Sequence, residues 1–147
     1  MKILISNDDG IFARGIDLLI EVCQTAGEVF VVAPDREQSG ASHSLTLHRP
    51  LRVMSRGTNR WAVDGTPTDC AMLAIEKILP ERPDVLISGV NHGPNMGEDV
   101  LYSGTVAAAM EAVSLGVPAI AISFRGANLD LLASWKEPLS KLIRSIV

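Results

Sequence analysis

Two hydrophobic patterns alternate along the chain. Short continuous apolar runs occur at Lys2–Ser6 (KILIS), Glu28–Ala33 (EVFVVA), Asp84–Ser88 (DVLIS) and Val117–Phe124 (VPAIAISF). The first three are closed at once by Asn7, Pro34 and Gly89, and each of the four reads as a buried strand. Between them, apolar positions recur at helical spacing. Ile16, Leu18, Leu19, Ile20, Val22 and Cys23 form one stripe, stopped at Ala26-Gly27. Thr66 as cap with Pro67 and Asp69 in the first turn opens a second helix, which runs through Leu79 to Pro80. Ser103-Gly104-Thr105 opens a third, carrying small residues from Val106 to Leu115 and ended by Gly116. From Leu129 to Val147 the chain is mostly helical; Leu139, Leu142, Ile143 and Ile146 share a face, and Pro138 kinks or restarts the helix.

Strand, helix and strand in succession are the signature of a parallel sheet. The pattern therefore predicts an open α/β fold with four core strands. Leu51–Ser55 and Arg60–Val63 alternate in polarity and add a small side hairpin or sheet edge. Two polar segments, Asp35–His48 and Gly89–Gly97, read as loops. In such sheets ligands bind beyond the carboxyl ends of the strands, where both loops fall.

Length and charge narrow the picture. The 147 residues suggest one domain, residues 1–147. Thirteen basic against seventeen acidic residues leave a net charge of −4, which argues against a nucleic-acid duplex or an anionic membrane as partner. No apolar run has the length of a membrane span, and the N-terminal run is too short for a signal peptide. Cys23 and Cys70 have no metal-type spacing and read as free, buried thiols of a cytoplasmic protein. The chain stops within an amphipathic helix, as the N-terminal part of a longer chain would.

The candidate chemistry begins with Asp8-Asp9 in the turn after the first strand, where Gly10 permits a sharp reversal. Two carboxylates about 4 Å apart repel by roughly 4 kcal/mol at an effective dielectric near 20, and a divalent cation removes that repulsion. Taken alone, the motif reads first as a solvated turn with an Asp cap. Ser39-Gly40 follows the second strand, and Asn91 and Asn95 follow a later one. Carboxylate, hydroxyl and amide oxygens suit Mg²⁺, Mn²⁺ or Ca²⁺ rather than Zn²⁺. The helix start at Ser103-Gly104-Thr105 offers free N–H groups to an anion. A metal beside such a terminus describes a site for phosphate-ester hydrolysis. His43 and His92 are placed to line it and Met96 to touch substrate, whereas His48 reads as surface. Trp61 and Trp135 read as packing, and Met54, Met72 and Met110 as core. A dinucleotide-binding reading fails, because Asn7-Asp8-Asp9-Gly10-Ile11-Phe12 puts carboxylates where G-x-G-x-x-G would cradle pyrophosphate.

Six ordered motifs then carry a resemblance: Asn7-Asp8-Asp9-Gly10; Val32-Ala33-Pro34-Asp35-Arg36 with Ser39-Gly40; Ser44-Leu45-Thr46; Gly65-Thr66-Pro67 with Asp69-Cys70; Ser88-Gly89-Val90-Asn91 with Gly93-Pro94-Asn95; and Tyr102-Ser103-Gly104-Thr105-Val106. Over nearly its whole length the chain resembles the survival protein SurE family. The resemblance implies a Rossmann-like three-layer α/β sandwich with a mostly parallel sheet. It implies a cytoplasmic, divalent-metal-dependent phosphatase of nucleoside 5′-monophosphates, linked to stationary-phase survival. It maps the metal ligands onto Asp8, Asp9, Ser39 and Asn91, with Asp8 or Asp9 assisting the attacking water. Phosphate contacts fall on Asn95, Ser103, Gly104 and Thr105, with Gly40 and His43 beside them. Family chains are longer and use a C-terminal region to form dimers and tetramers. A metal- and nucleotide-binding core without turnover is the alternative for this shorter chain.

Overall fold

The structure, a computed structural model, describes residues 1–126 and 129–146. Its elements are β1 (Lys2–Ser6), α1 (Arg14–Cys23), β2 (Glu28–Pro34), β3 (Val53–Ser55), β4 (Arg60–Val63), α2 (Pro67–Leu73), β5 (Val85–His92), α3 (Gly104–Ser114), β6 (Ala119–Phe124) and α4 (Lys136–Ile146). Helix α2 continues as a π-helical turn over Ala74–Ile78, and 3₁₀ turns cover Gly97–Leu101 and Leu129–Trp135. Val147, the last position of the predicted final helix, lies outside the described residues.

One six-stranded sheet has the order β3-β4-β2-β1-β5-β6. All neighbouring strands are parallel except β3, which runs antiparallel to β4. The predicted side hairpin is thus part of the sheet itself: Val31–Pro34 of β2 pair with Arg60–Val63 of β4. Alternation along the strands divides the interior into two cores. Ile3 and Ile5 of β1 and Ile87 of β5 face Ile16, Leu19 and Val22 of α1 and Leu139 and Ile143 of α4. Leu4 and Leu86 face the other way, onto Cys70, Ala71 and Ala74 and onto Ala108 and Ala112 of α3. The result is three layers, with α1 and α4 on one side of the sheet and α2 and α3 on the other.

Small residues set the close approaches. A Cβ on Gly15 would lie 2.0 Å from the Val90 carbonyl oxygen, so only glycine lets the start of α1 meet β5. The alanines at 107, 108 and 112 are fully or almost fully buried and bring α3 down onto the sheet. Pro138 sits in the first turn of α4, where its missing N–H costs no helical bond; the segment restarts rather than kinks.

Two expectations are corrected. Strand β5 does not stop at Ser88 but continues to His92. Its pairing with β6 resumes at Asn91↔Ser123 and His92↔Phe124 after an irregularity. The glycine and asparagine there signal a loop by propensity, but the backbone of β6 supplies partners. Met110 is about half exposed on the outer face of α3 rather than in the core. The buried face of that helix is filled by alanine, which leaves no room beneath it for a larger side chain. No helix among the described residues is long and apolar enough to cross a membrane.

Cys23 and Cys70 are both free and fully buried. Burial pushes the Cys23 thiol up to about 12. It raises Cys70 well above its ordinary value, with Asp69 and Asp35 adding to the effect. The thiolate is the reactive form. Neither cysteine should therefore react with a thiol reagent in the native protein at neutral pH, and both should react after unfolding. Timed labelling followed by intact-mass measurement checks this; rapid native labelling of either would contradict the packing described.

Candidate active site

The site is built around the turn that follows β1. Asn7, fully buried, closes it with its side chain: Nδ2 donates to the Gly10 carbonyl at 2.9 Å, and the Gly10 N–H donates to Oδ1 at 3.2 Å. Gly10 has φ +100°, and a Cβ there would lie 3.1 Å from the Arg36 backbone. This is a conformation and a space that only glycine meets without strain. Asp8 and Asp9 are thereby held at the carboxyl end of the central strand.

Three other parts of the chain are fastened to these two residues. The Gln38 N–H donates to the Asp8 carbonyl at 2.7 Å, anchoring the loop after β2 one residue before Ser39. The His92 N–H donates to Asp9 Oδ2 at 3.0 Å, anchoring the end of β5 one residue after Asn91. The Thr105 hydroxyl donates to Asp8 Oδ1, anchoring the start of α3. Asp8 is only 4% exposed, whereas Asp9 is half-buried.

Each remaining predicted residue has a definite place. Asn91 donates through Nδ2 to the Gly93 carbonyl at 2.9 Å. A carbonyl only accepts, so the amide oxygen of Asn91 faces elsewhere. Asn95 Nδ2 is 2.8 Å from the Ser123 hydroxyl on β6. Ser39 is exposed and donates to Glu37 at 2.7 Å. Gly40 has φ +75° at the head of its loop. His43 is paired with Glu111 of α3 at 2.8 Å. Ser103 caps α3 by accepting the Val106 N–H at 3.2 Å. A Cβ on Gly104 would lie 2.8 Å from Asp8 Cβ and 3.0 Å from its Oδ2. Thr105 is fully buried. His92 takes part through its backbone, and Met96 is exposed.

Asp69 and Glu111 went unnoticed as supports of the site in the sequence. The Asp69 carboxylate accepts from the Thr46 N–H at 3.0 Å, the Thr46 hydroxyl at 2.6 Å and the Thr66 N–H at 2.8 Å. It closes a capping box on α2 and holds the Ser44-Leu45-Thr46 segment in place. The Thr66–Asp69 spacing carries a signal for the cap; nothing in it names Thr46. Glu111, in the middle of a helix, gives no local sign of its partner on a distant loop.

The electrostatics favour a cation. Asp9 is held above the usual carboxylate value, chiefly by burial and further by repulsion from Asp8 and Glu37; the His92 N–H and ring oppose this. Among the described residues, neither Asp8 nor Asp9 pairs with a lysine or arginine. Nor does any described residue donate to Asp8 Oδ2, Asp9 Oδ1 or the Asn91 amide oxygen. No group of three or more His, Cys, Asp or Glu side chains placed to hold a metal ion occurs among the described residues. The donors on offer are carboxylate, amide and hydroxyl oxygens, which fit a hard divalent ion and not zinc.

Comparison with known proteins places the family and the fold. A family profile described as "Survival protein SurE" matches residues 3–147. The 5′-nucleotidase SurE of Gemmatimonas aurantiaca is 67% identical over 126 residues, covering 86% of this chain and 50% of that protein. The 5′-nucleotidase SurE of Myxococcus xanthus is 59% identical over 148 residues, covering 99% and 55% respectively. The crystal structure of the SurE protein from Aquifex aeolicus superposes with a TM-score of 0.94 at 42% identity, covering 99% of this chain and 60% of that one. The chain thus spans about half to three-fifths of the length of these relatives.

The raised Asp9 value has a consequence for stability. Its ionised form is disfavoured in the fold, so the cost is absent below the ordinary carboxylate range and complete above the raised folded value. With divalent metal chelated, Asp9→Asn should raise Tm at pH 7, because the amide oxygen still accepts the His92 N–H. The gain should shrink as pH falls through the carboxylate range. Thermal melts of both proteins from pH 4 to 8 test this; a lower Tm for Asp9→Asn at pH 7 would contradict it.

Proposed function

This chain belongs to the survival protein SurE family, and we propose that it carries the active site of a divalent-metal-dependent phosphatase. The reaction is hydrolysis of nucleoside 5′-monophosphates to nucleoside and phosphate. The observation that carries the reading is the paired carboxylate turn, Asp8-Asp9, tied to three separate elements at the carboxyl ends of the strands. The name shared by the relatives supports the substrate class.

In this reading Asp8, Asp9, Ser39 and Asn91 hold Mg²⁺ or Mn²⁺, with Ca²⁺ able to take the same place. Such an ion, when bound, supplies Lewis acidity toward a phosphoryl oxygen. The chain's own residues do the rest. The N–H groups at the start of α3, around Ser103, Gly104 and Thr105, favour negative charge on the phosphate oxygens. Asn95, His43 and the open backbone at Gly40 complete the phosphate side. Asp9, with Oδ2 fixed by the His92 N–H, has Oδ1 free to take a proton from the attacking water. We place residues 1–147 as one α/β domain of a cytoplasmic protein that forms dimers or tetramers at full length, taking a small nucleotide rather than nucleic acid or membrane as partner.

The test is phosphate release from a panel of nucleoside 5′-monophosphates by the 147-residue chain, with Mn²⁺, with Mg²⁺ and with EDTA. Release should require the metal, and Asp8→Asn or Asp9→Asn should lower it by roughly 100-fold or more. Undiminished turnover in both variants would overturn the assignment. Saturable binding of a nucleotide without release would favour a binding core whose turnover needs the rest of the longer relatives.

A further inference from the structure

We infer that Thr105 is a positioning residue that fixes Asp8 as a one-oxygen ligand and so biases the site toward small divalent ions, Mg²⁺ and Mn²⁺, over Ca²⁺. The inference rests on the metal site proposed above and assigns a role to a residue that does not itself touch the ion.

Three observations carry it. The Thr105 hydroxyl is fully buried and donates to Asp8 Oδ1. It has a single proton, so that proton is not also available to a phosphate oxygen. Second, Asp8 is itself almost fully buried and packed against Gly104, where a Cβ would come within 2.8 Å of Asp8 Cβ and 3.0 Å of Oδ2. The carboxylate has little room to rotate, and Oδ2 is the oxygen left without a donor among the described residues. Third, the platform carrying Thr105 is rigid. Ser103 caps α3, and Ala108, Ala109 and Ala112 pack it against the sheet and α2.

The consequence follows from ion size. Ca²⁺ accepts a high and flexible coordination number and often takes both oxygens of a carboxylate. Mg²⁺ demands near-octahedral single-oxygen ligands at about 2.0–2.1 Å. A hydroxyl bonded to Oδ1 competes with two-oxygen binding and leaves one-oxygen binding intact. It also fixes the rotamer, as hydrogen-bonding partners behind metal ligands generally do.

The experiment measures Mn²⁺ affinity by calorimetric titration of the 147-residue chain, with Ca²⁺ as competitor. Thr105→Val, nearly isosteric but without the hydroxyl, should weaken Mn²⁺ binding by roughly 10- to 100-fold. It should weaken Ca²⁺ binding less, so that the Mn²⁺-over-Ca²⁺ ratio falls. Thr105→Ser should restore both affinity and ratio. Should the valine variant fold poorly, Thr105→Ala carries the same expectation with a smaller side chain. A merely structural role would lower Tm without moving the ratio. An unchanged ratio in folded Thr105→Val or Thr105→Ala would overturn the role of Thr105. Absence of Mn²⁺ binding by the unsubstituted chain would overturn the metal site itself.

Discussion

The arrangement depends on two adjacent carboxylates held together, partly out of water, with no positive side chain among the described residues paired to them. Repulsion between such a pair is roughly 4 kcal/mol for a separation of about 4 Å. Two charge-assisted hydrogen bonds oppose it, from the Thr105 hydroxyl to Asp8 and from the His92 N–H to Asp9, each worth about 1.5–3 kcal/mol. Both bonds also tie the turn to other parts of the fold. The Asp9 carboxyl is raised chiefly because it is partly buried, with repulsion from Asp8 a smaller contribution.

Those two hydrogen bonds, together with the one from the Gln38 N–H to the Asp8 carbonyl, assemble the site. Asp8 and Asp9 between them hold the loop after β2, the end of β5 and the start of α3. The parallel sheet makes this feasible, because β1 lies between β2 and β5 and all three end on one side. Close helix packing makes it durable. Glycine at position 104 lets Asp8 lie against the first turn of α3, and the alanines behind it keep that turn against the sheet. The loop bearing Ser39, Gly40 and His43 has no secondary structure of its own. It is pinned at Gln38 to Asp8, at His43 to Glu111 and at Thr46 to Asp69.

Much of this is legible in the sequence because it is local. Runs such as KILIS and DVLIS name the central strands, and Thr66-Pro67 with Asp69 names the start of α2. Gly10 after paired aspartates names the turn. What escapes is non-local. The extension of β5 to His92 needs the partner backbone of β6, which no propensity at Gly89–Asn91 reveals. Met110 fits the periodicity of a buried helix, but its exposure follows from how closely the alanine face lies on the sheet. The Thr105 hydroxyl reads as a phosphate donor from its place at a helix start; the structure directs it to a carboxylate 97 positions earlier.

The contrast between Asp8 and Asp9 follows from the same geometry. Asp8 is almost fully buried, with one oxygen bonded to Thr105 and the other against Gly104. Asp9 is half-buried, held by a single backbone N–H, with its second oxygen unclaimed by any described residue. A fixed ligand must not move as the substrate changes charge, whereas a proton acceptor must be reachable by water. Adjacent positions on a strand point to opposite faces; only a turn lets neighbours in sequence share one site while differing this much in exposure. The Asn7–Gly10 turn therefore does more than bring two charges together, since it gives chemically identical side chains unequal surroundings, on which the different roles proposed for them rest.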